Sequence, residues 1–93
     1  MEGNSVVSDE VIARYARDAA LEVPGVLRVV DGVRKGVRVD DGAVTLHLAL
    51  DDGVSIPEVG AGVQRGVADF LERMTNVRPG SVDVVVEELG GAA

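Results

Sequence analysis

Ninety-three residues, 46% of them hydrophobic, make one small domain that buries only roughly 60% of the surface its unfolded chain exposes. One tyrosine (Tyr15) and one phenylalanine (Phe70) leave the core to Val, Leu, Ile and Ala and argue against aromatic stacking on nucleobases. Sixteen acidic against nine basic residues give a formal charge of −7, which opposes nucleic acid and bare anionic membrane, and the lack of cysteine excludes disulfides, thiolate zinc sites, iron–sulfur clusters and thiol catalysis.

Met1 to Glu10 has no basic patch followed by an apolar stretch, and no run approaches the roughly 18 apolar residues of a membrane span. A cytoplasmic protein is expected. The first helix is predicted to start after Ser8, whose hydroxyl can cap a free helix-start amide, with Asp9 and Glu10 facing the positive helix end. Ile12, Tyr15, Ala16, Ala19 and Val23 recur at helical spacing on one face, and Pro24-Gly25 stops the helix.

Val26 to Val30 reads as a short strand, Asp31 to Lys35 as the turn into a second strand, and Gly36 to Asp40 as that strand. Asp41-Gly42 is a tight hairpin turn, because glycine tolerates positive φ at no steric cost. In the third strand Val44, Leu46, Leu48 and Leu50 alternate with Thr45, His47 and Ala49, so one face is core. Ser55-Ile56-Pro57-Glu58 has capping-box spacing and opens a second helix. Its apolar stripe is read as Ile56, Val59, Val63, Val67, Phe70 and Met74. Gly60, Gly62 and Gly66 lie inside it, each costing about 1 kcal/mol relative to Ala; close approach of this helix to the sheet is the expected compensation.

Asn76 to Gly80 is a loop, and Ser81 to Leu89 a final strand with Val82, Val84 and Val86 alternating against Asp83, Val85 and Glu87. Residues 1–8 and 90–93 are expected to be disordered ends of a single domain covering 1–93. The expected fold is α/β (α+β) in the order α-β-β-β-α-β, a four-stranded mixed sheet with two helices on one face and the last strand parallel to the third.

The chemistry-bearing residues are few. His47 is the only histidine and lies on the strand face away from the leucines, with no convergent donors spaced nearby. Asp40-Asp41, Asp51-Asp52 and Glu87-Glu88 read as turn and solubility acids without calcium-loop spacing. Arg34-Lys35, with Arg28 and Arg38, is the one basic cluster, but no Gly-x-x-Gly clamp accompanies it, so a KH-type nucleic-acid module is not expected. No catalytic residue, metal or cofactor is expected.

In order and spacing, Ala20-Leu21-Glu22-Val23-Pro24-Gly25-Val26, Lys35-Gly36-Val37-Arg38-Val39, Ile56-Pro57-Glu58-Val59, Val63-Gln64, Met74-Thr75 and Val82-Asp83-Val84 resemble the alkaline shock protein twenty-three family. The resemblance runs from about Val11 to Leu89. It implies a non-enzymatic cytoplasmic protein of the bacterial cell-envelope stress response. Some relatives are held at the inner face of the membrane by an anchored partner, and the family has no active site to carry over. Two positions depart from the family pattern: Asp52-Gly53 replaces a tyrosine-glycine, and Asn76 replaces a glycine after the Met-Thr pair. Asn tolerates positive φ, so that turn can survive. The competing reading is a small-ligand-sensing, ferredoxin-like module, suggested by Val23-Pro24-Gly25-Val26 entering a strand; the leading helix and different strand order argue against it.

Two helices cover one face of such a sheet and leave the other to water or a partner. Alternation assigns Arg28, Arg38, Thr45, His47, Asp83, Val85 and Glu87 to that open face. This face, or an open sheet edge, is the expected site of self-association into a homo-oligomer or of docking to a membrane-anchored relative.

Overall fold

Each helix begins at a serine cap: Ser8 Oγ accepts the Val11 amide at 3.2 Å, and Ser55 Oγ accepts the Glu58 amide at 3.3 Å. In the computed structural model, which describes residues 7–32 and 36–90, these caps open α1 (Asp9–Leu21) and α2 (Ile56–Thr75). The strands are β1 (Val26–Val29), β2 (Val37–Asp40), β3 (Ala43–Leu50) and β4 (Ser81–Leu89), in the expected order. Helix α2 ends at Asn76, which takes the left-handed conformation with φ 63°, as its side chain permits. Ser8 and Gly90, expected in disordered ends, belong to the fold, since Ser8 is a cap and the Gly90 amide donates to the Leu50 carbonyl. Of the rest of that expectation, 1–6 and 91–93 lie outside the described residues, as do Arg34 and Lys35 of the basic cluster.

The sheet is mixed and built around one strand. β2 joins β3 through a two-residue turn in which Asp41 and Gly42 both have positive φ, 52° and 83°, the geometry that matches the right-handed twist of a hairpin. β4 runs parallel to β3 along its whole length, from Ala43↔Ser81 to Leu50↔Leu89. β1 and β2 therefore share the opposite edge, β2 against Ala43 to Leu46 and β1 against Leu48 to Leu50, both antiparallel to β3. They do not form a hairpin with each other. They are two halves of one interrupted strand, joined at His47: its carbonyl accepts the Val30 amide and its amide donates to the Gly36 carbonyl, each at 2.8 Å.

Asp31 holds that interruption. Its carboxylate accepts Arg17 of α1 at 3.0 and 3.3 Å and the Gly36 amide at 2.9 Å. A Cβ at Gly36 would collide with Val29 and stand 2.9 Å from the Val30 carbonyl oxygen, so only glycine lets the chain rejoin β3 so closely. Gly25, at φ 99°, plays the same part between α1 and β1, where a Cβ would lie 2.8 Å from a Val59 methyl.

Val44, Leu46, Leu48 and Leu50 of β3 are each no more than 1% exposed and form one cluster with Ala16, Ala19 and Ala20 of α1 and Val59, Val63, Val67 and Leu71 of α2. Each buried leucine contributes roughly 1.5–3 kcal/mol. The two aromatic rings close the helix pair, Tyr15 meeting Phe70 edge-on at 5.7 Å.

The stripe of α2 differs from the predicted one. Leu71 and Ala68 are buried, whereas Ile56 and Met74, in the first and last turns of the helix, are exposed. The helix glycines do not face the sheet either. A Cβ on Gly62 or Gly66 would meet Val23 at 3.4 and 3.7 Å, and one on Gly60 would meet nothing within 4 Å.

Asp31 generates a pH dependence. Its hydrogen bonds from Arg17 and then from the Gly36 amide hold its pKa below the ordinary carboxylate value. A pKa lowered by folding contributes stability above the unfolded value, near 3.9, and loses it as pH falls through the folded value. Asp31→Asn is therefore expected to lower Tm by a constant amount above about pH 5, with the gap to wild type closing below about pH 4; thermal melts from pH 7 to 2 measure this.

Candidate functional site

The pleat sends alternate side chains of β3 away from the helices, and the strand pairings arrange their neighbours in rows across the sheet. Asp40, Ala43 and Ser81 form the first row, and Arg38, Thr45 and Asp83 the second. His47 and Val85 form the third, and Arg28, Ala49 and Glu88 the fourth. The residues assigned to the open face by alternation are thus brought onto one surface. Among the described residues, no helix covers it.

Two bulges flank the fourth row. Pairing skips Leu27 on β1, beside the Ala49–Leu50 step of β3, and Glu87 on β4, beside the Leu48–Ala49 step. The β4 bulge lets two successive acids reach the same face: Glu87 Oε2 lies 2.7 Å from His47 Nδ1, and Glu88 pairs with Arg28. The Arg28–Glu88 pair spans Ala49, which is 0% exposed yet outside the helix-side core. A larger side chain than alanine at that position would hold the pair apart.

Glu87-Glu88 is therefore more than a solvated pair of acids, and Glu88 is the face residue that strict alternation missed. A signal for it exists in the chain. The apolar positions Val82, Val84 and Val86 are followed by Leu89 rather than an apolar residue at 88, the skip that a bulge produces.

The face is graded in charge. Arg28 and Arg38 stand on the β1–β2 side and Asp83, Glu87 and Glu88 on β4 together with the half-exposed Val85, while the middle strand holds Thr45, His47 and Ala49. Arg38 and Asp83 make no ion pair among the described residues.

Among the described residues, the grooves of the helical side include one of about 650 Å³ between α1 and β2 and one of about 620 Å³ between the end of α1 and α2. The second is floored by Val23, Gly62 and Gly66 and flanked by Phe70 and Arg73. His47 lines neither. Among the described residues no three His, Cys, Asp or Glu side chains gather to hold a metal, and no helix is long and apolar enough to cross a membrane. No family model, curated protein or solved structure matches this chain.

The two faces of β4 can be told apart by adjacent substitutions. Val84 packs against the core and Val85 stands 39% exposed on the open face. Val84→Arg is expected to abolish cooperative unfolding by burying an unpaired charge, whereas Val85→Arg retains the wild-type far-UV circular dichroism and a Tm within a few degrees; melts of both variants decide the assignment.

Proposed function

We propose that this chain is a non-catalytic protein-interaction module of the bacterial cell-envelope stress response, acting through the open face of its sheet. The observation that carries the reading is that face itself: a helix-free surface with a basic side, an acidic side and an apolar point at Val85. Charges sorted in this way suit the orientation of a protein partner, since complementary potentials set register and suppress wrong pairings. The order of motifs resembling the alkaline shock protein twenty-three family supplies the cellular context.

A catalytic reading finds less support. General acid–base or nucleophilic chemistry needs a base held beside a substrate cavity, and His47 is engaged with Glu87 on the open sheet face and lines neither groove. A direct membrane role also finds less support. A charge of −7 is repelled by anionic lipid, and neither helix has the basic polar face of an interfacial anchor. The proposed location is the inner face of the membrane, through an anchored partner.

Purified protein is accordingly expected to stay in the supernatant when sedimented with protein-free anionic vesicles at physiological salt. In lysate of the native bacterium, a portion is expected to pellet with membranes and to be lost from the pellet in the Val85→Arg variant. Tight binding to the vesicles contradicts the indirect tether, and unchanged pelleting of Val85→Arg contradicts the open face as the interaction surface.

A further inference from the structure

We propose that the occupant of the open face is a second copy of this chain, packed face to face about a two-fold axis that runs along β3. The proposal rests on the reading of this face as an interface and adds the partner and its orientation.

Charge selects the axis. Rotation by 180° about a line parallel to β3, lying between two facing sheets, keeps every row at its own height and exchanges the β1–β2 side with the β4 side. Arg38 of one copy then stands over Asp83 of the other, and Arg28 over Glu88, each contact occurring twice, as an isologous interface requires. Asp40, the one acid on the basic side, meets Ser81. His47 of one copy meets His47 of the other at the centre, and Val85 of each copy stands over the interruption between β1 and β2 of the other.

A two-fold axis across the strands gives the opposite result. It leaves basic side against basic side and acidic side against acidic side, an arrangement that like-charge repulsion penalises. The favoured axis leaves the two β3 strands nearly parallel, which is the aligned packing of stacked sheets within about 30°.

The pairing also addresses Arg38 and Asp83. They flank Thr45 on neighbouring strands at opposite sides of the face and carry no ion pair among the described residues. In the dimer each obtains an opposite charge. The surface is small, roughly 400 Å² per copy from strand spacing and rise, so the dimer falls in the weak, transient class of interface.

The test uses charge reversal in trans. Wild type, Arg38→Asp, Asp83→Arg and an equimolar mixture of the two variants are compared by sedimentation velocity up to about 1 mM, a range set by the weak-interface class. Wild type is expected to dimerise, and each variant alone to associate at least about tenfold more weakly. In the mixture, the aspartate introduced by Arg38→Asp in one chain faces the arginine introduced by Asp83→Arg in the other, and the remaining pair is native, so dimer is expected to return to near the wild-type level. Circular dichroism on each variant confirms that the fold persists. Wild type that remains monomeric at about 1 mM, or a mixture no more associated than its components, overturns the two-fold dimer. Monomeric wild type together with loss of membrane pelleting in Val85→Arg overturns only the second copy as occupant and leaves the face as an interface for a different protein.

Discussion

All three other strands of this sheet hydrogen-bond to β3, and among the described residues they pair with no strand but β3. β3 is also the strand whose core-side residues, Val44 to Leu50, are the most completely buried. Both edges and one face of a single eight-residue segment are thus saturated, and its remaining face is what the molecule presents. The open face is not a surface left over at random. Its width, its rows and its charge gradient all follow from which strands attach to which edge of β3.

Much of this was legible in the chain. Asp41-Gly42, Ser8 and Ser55, and Asn76 each carry a local mechanism that survives folding unchanged: positive φ, a capping oxygen, a left-handed cap. The alternation in β3 and β4 placed Thr45, His47, Asp83 and Val85 on one face because the pleat has a period of two and nothing interrupts it there. What was not legible is non-local. Asp31-Gly32 has the composition of a hairpin turn, yet Asp31 is held by Arg17 from a different element and the chain resumes along the same edge. A turn that returns and one that continues share the same residues.

The bulge opposite Ala49 escaped for a related reason. A one-residue insertion on β4 is specified by its pairing partner, and only the shift from Val86 to Leu89 betrays it within the chain. The glycines of α2 show the limit of helical-wheel reasoning, which gives an angle but not a neighbour. Gly62 and Gly66 turn out to face Val23 in the connection to β1, and Gly60 faces open space.

On the proposed reading the protein is a small recognition module, with a buried side that fixes β3 and an exposed side that uses it. Concentration-dependent amide chemical shifts in a ¹⁵N-labelled sample, followed from dilute to millimolar protein, test that account at residue resolution. Shifts are expected to concentrate on Arg38, Thr45, His47, Asp83 and Val85, with the amides of α1 and α2 unmoved. Shifts confined to the groove at Gly62, Gly66 and Phe70, or none across the range, would contradict self-association through the open face.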